Sequence, residues 1–231
     1  MSTNPTSDSL QIGDAFGYVF RSPNWFGKIL IGTVCLIFSF LILPALILQG
    51  YVIEIGRTVS QGRSELPAWT DIGKKLGDGF LMAVAFLVWG IPIAILYGIG
   101  AVVGGCSTQS GTTVCTNAGG EIFFFGLGAL LTIVFAILAP AIYAQYIDGG
   151  FGATMQFATA FNRGMRHIGA SILVIVMAFV AALAACLGII AIFIGLLVTV
   201  PWAYYVQGNL YGQFARISRD TAAAGSGLRP A

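Results

Sequence analysis

Four long stretches without a charged side chain constrain the fold of this chain more than any other feature. They comprise residues 29–53, 79–120, 122–147 and 168–215. A membrane-spanning helix needs about 20 consecutive apolar residues, because the hydrocarbon core of a bilayer is roughly 30 Å thick. Only 9% of the residues are charged, against about 25% in a soluble globular domain. The sequence therefore predicts an all-α integral membrane protein with no room for a soluble catalytic domain.

The positions of the basic residues predict the orientation of the chain, since Lys and Arg near membrane ends are retained on the cytoplasmic side. All 11 basic residues lie before the first charge-free stretch, between the first and second, between the third and fourth, or after the last. Segment 104–120 contains none of them. We therefore expect segment 104–119 to be outside the cell, and residues 60–78 and both termini to be cytoplasmic.

This charge distribution predicts about six membrane helices that form three in–out–in hairpins. The last stretch, residues 168–215, has 48 residues, enough for two helices joined near Leu187–Gly188. The predicted membrane domain covers residues 14–219, and its hairpins span about 14–62, 70–150 and 155–219.

The first hairpin is predicted to be short, because its stretch has only 25 uncharged residues. Its helices are expected near 28–42 and 44–59, and a single helix there would leave four basic residues outside. Residues 1–13 are expected to be a polar tail without a signal peptide. Residues 220–231 are expected to be a disordered tail, because they are small, polar and without periodicity.

Two amphipathic segments precede apolar stretches. AFGYVFRSPNWFGKIL (residues 15–30) and FATAFNRGMRHIGASIL (residues 157–173) both contain aromatic residues, an arginine and, six residues later, a glycine. A helix with aromatic and apolar side chains on one face and basic side chains on the other lies in the membrane interface. We expect both segments to be lead-in helices on the cytoplasmic face.

Amide side chains are the polar groups expected at membrane depth: Gln49, Gln145, Gln207 and Asn209. Each glutamine follows a proline by five or six residues in a predicted returning helix. No charged residue lies near the middle of a predicted helix, which disfavours ion-coupled transport. The amides leave open a conduit or carrier for lipid or an uncharged small solute.

Cys106 and Cys115 bracket eight small polar residues in the predicted outside loop. Disulfides persist in the oxidising space outside the cell, and closing such a loop removes roughly 2.5–3 kcal/mol of unfolded-chain entropy. A metal site is the alternative, but the loop lacks His, Asp and Glu, and zinc binds four ligands. We therefore predict that these cysteines form a structural disulfide.

The sequence contains no recognisable catalytic, cofactor-binding or metal-binding motif. His167, the single histidine, follows Arg166 at the start of a predicted helix, where an interfacial cation is a simpler interpretation than a catalyst. Asp71 and Asp78 could act as a pair of carboxylates, but Asp71 or Thr70 is also a natural helix N-cap. We expect no enzyme activity, catalytic residue, metal or cofactor, and a membrane enzyme is the least favoured function class.

The cytoplasmic surface is predicted to carry the interactions of the protein. Its basic residues are Arg21, Lys28, Lys74, Lys75, Arg163 and Arg166. Each contributes about 1 kcal/mol to association with anionic lipid headgroups when it is near the membrane. The expected partners are the lipid bilayer and either anionic lipid or a membrane protein, whereas a net charge of +2 is too small to indicate nucleic acid. The favoured function is a non-enzymatic membrane module acting through helix packing and this surface.

Three segments carry a family resemblance: NWFGKILIG, GYVIEIGRTVSQG, and ELPAW followed by DIGKKLGDGF. They resemble the prokaryotic membrane-protein family catalogued as domain of unknown function 4013. The layout through PWAYYVQGNLYGQFAR is similar too, so the likeness covers about residues 14–216. The resemblance implies a multi-pass protein in the cell membrane of a bacterium or archaeon, and it carries over no activity, cofactor or catalytic residue.

Overall fold

Eight α-helices and one small β-hairpin make up the described part of the chain. The computed structural model describes residues 10–105, 107–109, 112–114, 116–186 and 194–225. The helices are α1 (Ile12–Arg21), α2 (Trp25–Ile37), α3 (Leu43–Ser60), α4 (Ile72–Gly104), α5 (Ala118–Thr154), α6 (Phe157–Arg166), α7 (Ile168–Cys186) and α8 (Ile194–Gly225). A 3-10 turn, Ser39–Leu41, precedes α3, and the antiparallel strands β1 (Ser107–Gln109) and β2 (Thr112–Val114) lie between α4 and α5.

Three helices in the described part of the chain, α4, α5 and α7, are long and apolar enough to cross a membrane. The helix α2 is also apolar, but it has only 13 residues. The helices α3 and α8 carry charged residues in their C-terminal halves, among them Arg57 and Arg216. The chain is therefore a helical protein with three candidate membrane-spanning helices.

In the first apolar stretch, α3 agrees with the expected 44–59 to within one residue at each end, whereas α2 differs from the expected 28–42. The helix α2 ends at Ile37, and Ile42 has a φ of 65°, which a right-handed helix cannot contain. Pro44 lies in the first turn of α3, where its missing N–H is not needed. At the other end of the chain, α8 continues to Gly225, into the predicted tail. The predicted link near Leu187–Gly188 lies outside the described residues.

The chain divides into two compact units. Residues 84–137 form one of them, and their helical segments expose large apolar side chains, such as Leu87 at 71% and Val102 at 82%. Such exposure is expected of helices that face lipid. In the same unit, the rings of Phe86 and Phe135 pack edge to face, with centroids 5.5 Å apart. Its β-hairpin pairs Ser107 with Val114.

We term the other unit, Met1–Ala83 with Leu138–Ala231, the core unit. Its core lies where α8 packs against α1, α2, α3 and α7. Tyr51, Ile55 and Tyr205 are fully buried there. A Cβ at Gly212 would lie 2.5 Å from the backbone oxygen of Gly56, so this glycine permits the close crossing of α3 and α8.

Both predicted lead-in segments contain a short amphipathic helix. The helix α1 buries Ala15 and Tyr18 and exposes Phe20. The helix α6 buries Ala160 and exposes Phe161. Each therefore packs one face against neighbouring helices, α1 against α2 and α8 and α6 against α7, and leaves an aromatic side chain exposed.

Candidate functional site

Many charged side chains of the core unit lie near the end of α3, the start of α4 and the C-terminal part of α8. Four ion pairs there join different helices: Arg57–Asp78, Lys75–Glu54, Arg163–Asp148 and Arg219–Asp148. A fifth, Arg21–Asp14, lies within α1 and is exposed. Much of the charge that the sequence assigned to a surface is therefore used to join helices.

Glu54, Arg57, Lys75 and Asp78 form what we term the α3–α4 ion-pair cluster. Arg57 contacts Asp78 with both terminal nitrogens, at 2.5 and 3.0 Å. Tyr146 of α5 donates to the same carboxylate at 3.0 Å, and the guanidinium of Arg57 lies 5.6 Å from the Tyr146 ring centroid. Sequence reasoning missed this role of Asp78. The available signal was an acid and a base three residues apart on each of two consecutive helices, in opposite order.

Lys75 is only 2% exposed, although it was predicted to belong to the basic surface. Its ammonium lies 2.6 Å from a Glu54 carboxylate oxygen and donates to the backbone oxygen of Thr70. The ring of Tyr51 lies beneath it, with the centroid 5.8 Å from Nζ. A buried ammonium needs such partners because its transfer from water is costly. Lys75 is therefore bonded inside the unit, whereas Lys74 is exposed.

The loop 61–71 between α3 and α4 is held by side chains from four helices. Its backbone oxygens accept hydrogen bonds from Tyr18 (to Glu65, 2.7 Å), Lys28 (to Leu66, 2.6 Å), Tyr51 (to Pro67, 2.9 Å) and Lys75 (to Thr70). The ring of Trp69 stacks on Tyr51, with centroids 4.0 Å apart. Burial raises the pKa of Tyr18, so its hydroxyl keeps the proton that it donates. The Leu-Pro-Ala-Trp motif is thus a fixed part of the structure.

A pocket of about 660 Å³ lies between α6 and α8, and we term it the arginine pocket. Its lining consists of Thr159, Asn162, Arg163, Arg166, His167, Ser218 and Arg219. The two lead-in arginines and the late α8 arginine therefore face one space, a convergence that sequence reasoning did not predict, because α6 and α8 are far apart in the chain.

Two of the three arginines are fixed by hydrogen bonds. Arg163 donates through Nε to Ser218 Oγ at 2.8 Å and through Nη2 to Asp148 at 2.7 Å. Arg219 contacts Asp148 through Nε at 3.3 Å and donates through Nη2 to the backbone oxygen of Ser60 at 2.9 Å. Arg166 is exposed, and no carboxylate of the described residues pairs with it.

His167 lies at the pocket beyond the end of α6. Burial, with smaller contributions from the charges of Arg163 and Arg166, lowers the pKa of its imidazole below the ordinary 6.5. These surroundings disfavour the charged imidazolium, and the interfacial cation expected from the sequence stays a prediction. Its ring packs edge to face with Phe214, with centroids 6.3 Å apart.

The six basic residues predicted for the cytoplasmic interface divide into two groups. Lys28, Lys75 and Arg163 form hydrogen bonds or ion pairs that join separate parts of the chain. Arg21, Lys74 and Arg166 are exposed, and among the described residues the ion-pair partner of Arg21 is Asp14 of its own helix. Among the described residues, Lys74 and Arg166 of the exposed group can therefore meet a partner without loss of an ion pair.

The four amides predicted at membrane depth each have their own partner. Gln49 donates to Tyr143 Oη. Gln207 donates to Tyr211 Oη at 2.9 Å, and Asn209 accepts from Gln213 at 2.7 Å. The amide of Gln145, turned so that its oxygen accepts from Ala160 N at 2.9 Å, donates to Ala153 O at 3.3 Å. Local bonding of this kind favours a role in helix packing over a shared polar path.

An apolar cleft of about 360 Å³ lies between α7 and α8. Small side chains such as Ala178 and Ala182 line it, and Tyr204 and Gln207 are its polar groups. It is the feature of the described chain that best fits the alternative of a carrier for an apolar molecule.

The predicted disulfide between Cys106 and Cys115 lies outside the described residues. The register of the β-hairpin pairs Ser107 with Val114, and these residues are adjacent in sequence to the two cysteines. Cys35 and Cys186 are free thiols. Within the described ranges, no three His, Cys, Asp or Glu side chains converge as metal ligands.

Comparison with known proteins yields one family. The sequence model of a family described as protein of unknown function (DUF4013) matches residues 34–200, more than half of the chain. No curated protein and no solved structure matches. The match includes the α3–α4 ion-pair cluster and the α6 side of the arginine pocket, but ends before Ser218 and Arg219.

Proposed function

The chain belongs to the DUF4013 family of proteins of unknown function, and from this starting point and its own geometry we propose that it is a non-enzymatic, multi-pass membrane module that binds anionic lipid at its cytoplasmic surface. The observation that carries this proposal is the position of two basic side chains that have no ion-pair partner among the described residues. Lys74 and Arg166 are exposed, and both lie close in sequence to the paired charges of the core unit. Anionic headgroups of the inner leaflet attract such side chains.

We propose six membrane helices in three hairpins, α2 with α3, α4 with α5, and α7 with α8. The charges at the ends of these pairs favour cytoplasmic termini and a location in the cell membrane. The apolar windows of α4, α5 and α7 are only 17%, 11% and 22% buried. In contrast, α3 and α8 bury their faces against each other, and a helix shielded by its neighbours can cross a bilayer with fewer apolar residues.

The lipid-binding proposal is tested with the variant Arg21→Gln/Lys74→Gln/Arg166→Gln. We expect a loss of roughly tenfold or more in anionic lipid retained through purification in mild detergent, because each nearby basic residue contributes about 1 kcal/mol. The matched control is Arg21→Lys/Lys74→Arg/Arg166→Lys, which keeps the charges and should retain native lipid. Mass spectrometry of the bound lipid measures both. Native anionic lipid content in the glutamine variant would contradict the proposal.

A carrier for lipid or an uncharged small solute is the second candidate, and the apolar cleft between α7 and α8 favours it. If this cleft carried a lipid, Ala182→Leu would fill it and slow lipid exchange between the leaflets of reconstituted vesicles. Lipid exchange at the rate of protein-free vesicles in the native protein would exclude lipid carriage. The anionic-lipid content of purified protein should not respond to Ala182→Leu in either case.

A further inference from the structure

The arginine pocket is an open space with an excess of positive charge. Three arginines line it, and the carboxylate in contact with them is Asp148, which both Arg163 and Arg219 share. The three arginines and Asp148 have a net charge of +2, by addition of three positive charges and one negative charge. The pocket is therefore complementary to an anion.

The fixed arginines leave donors unused. The hydrogen bonds of Arg163 and Arg219 use Nε and Nη2, so Nη1 of each has no protein acceptor among the described residues. Arg166 adds a complete guanidinium group that has no ion-pair partner among the described residues. Guanidinium groups bind phosphate oxygens through two parallel hydrogen bonds, and positions fixed in advance reduce the entropy lost on binding.

Neutral donors and the pocket size favour the same class of ligand. The Asn162 amide lines the pocket and can donate to an oxygen of a phosphate, and Thr159, whose hydroxyl donates to Gln156 Oε1 at 3.3 Å, lines it too. The volume of about 660 Å³ exceeds what a phosphate ion fills, so it also accommodates the group to which a phosphate is attached.

The helix that supplies two of the arginines has the character of an interfacial helix. On α6, the exposed side chains include Phe157, Phe161 and Met165, next in sequence to Arg166. An interfacial helix places its aromatic side chains in the acyl boundary and its basic side chains at headgroup level. Phosphate groups of phospholipids lie at that level.

We propose that the arginine pocket binds a phosphate group, carried either by an anionic phospholipid headgroup or by a soluble phosphate compound. The proposal deepens the proposed function, because it assigns one defined site to lipid binding at the basic surface. Arg166 and Arg219 supply the attracting charge, and Arg163 is the positioned donor whose bonds to Asp148 and Ser218 fix the pocket wall.

The test uses full-length protein, delipidated in detergent, and two probes: phosphatidylglycerol and inorganic phosphate. The pocket variant is Arg166→Gln, which removes no internal ion pair, and a second variant adds Arg219→Gln. Arg63→Gln is the matched control, because it removes one exposed charge that neither lines the arginine pocket nor belongs to the lipid-binding set of Arg21, Lys74 and Arg166. Binding of phosphatidylglycerol is measured by native mass spectrometry, and binding of inorganic phosphate by the shift in thermal unfolding temperature.

We expect Arg166→Gln to weaken phosphatidylglycerol binding about fivefold and the double variant about 25-fold, from about 1 kcal/mol per basic residue. Arg63→Gln should weaken it less than twofold. Loss confined to phosphatidylglycerol identifies a lipid headgroup, and loss of an inorganic phosphate shift identifies a soluble phosphate compound.

Two results would overturn the proposal that the arginine pocket binds a phosphate group. Unchanged binding of both probes in the double variant would refute it directly. Equal weakening by Arg63→Gln and Arg166→Gln would also refute it, but would leave the proposed function standing, since lipid would then bind to diffuse surface charge. Failure of the proposed function has a different signature, namely native lipid content in the Arg21/Lys74/Arg166 glutamine variant.

Discussion

Arg57 of α3 and Asp78 of α4 form a two-point ion pair, with nitrogen–oxygen distances of 2.5 and 3.0 Å. Their side chains are 24% and 15% exposed, so water screens the pair only partly. The hydroxyl of Tyr146 donates to the same carboxylate. Asp78 therefore joins three helices through one side chain.

Asp78→Ala should lower the free energy of unfolding by roughly 3 kcal/mol, the lower end of the range for breaking a buried ion pair, because Arg57 would lose its partner. The control is Asp14→Ala, which breaks the exposed Arg21–Asp14 pair and should cost at most about 1 kcal/mol. Denaturant or thermal unfolding in detergent measures both. Similar losses in the two variants would show that the α3–α4 ion-pair cluster does not stabilise the fold.

Two glycines of α4 that are two residues apart should respond in opposite ways to alanine. A Cβ at Gly79 would lie 1.9 Å from the backbone oxygen of Leu46, whereas a Cβ at Gly77 meets no atom within 4 Å. Gly79→Ala should therefore separate α3 from α4 and lower the thermal midpoint by several degrees. Gly77→Ala should be neutral or stabilising by up to about 1 kcal/mol, because alanine is the better helix former. A smaller effect at Gly79 than at Gly77 would contradict the close crossing.

Ser64 and Thr112 should be on opposite sides of the membrane. Both are exposed. None of the 11 basic residues lies in segment 104–120, whereas four of them, in residues 57–75, flank Ser64 in the sequence. In a chain without its four native cysteines, Thr112→Cys should react with a membrane-impermeant maleimide in intact cells, and Ser64→Cys only after lysis. The reverse pattern would invert the proposed topology.

Cys106 and Cys115 should be disulfide-bonded in protein purified from cells without reductant. In denaturant, an alkylating reagent should then modify two of the four cysteines, Cys35 and Cys186, and all four after reduction. Mass spectrometry of the intact chain counts the alkyl groups. Four groups before reduction would exclude the disulfide.

That the chain is a helical protein with apolar, membrane-length helices could be predicted, because long stretches without charge can be read directly from the sequence. The same holds for α1 and α6, since each carries its amphipathic pattern within ten residues. The early end of α2 could not be predicted. A helix that reached residue 42 would have to include Ile42, whose φ is positive, a conformation that β-branched residues rarely adopt and that no sequence pattern announces.

The arginine pocket and the ion-pair cluster could not be predicted because they depend on contacts between distant segments. Arg163 and Ser218 are 55 residues apart, and Tyr146 and Asp78 are 68 apart. Lys74 and Lys75 illustrate the same limit at short range. Neighbouring helical residues point about 100° apart, so one of the two must be less exposed, but only the position of Glu54 decides which.

The packing of α8 against the first helices has a consequence for the order in which the chain assembles on the ribosome. Tyr205 donates to the backbone oxygen of Lys28, 177 residues earlier. At 5–20 residues per second, the acceptor waits roughly 9 to 35 s for its donor to be synthesised. During that interval the membrane insertion machinery or lipid must cover the faces of α1, α2 and α3 that α8 later occupies. Completion of the core is thus reserved for the last helix to be translated, and a truncated chain ending before α8 would expose an incomplete core to membrane quality-control proteases.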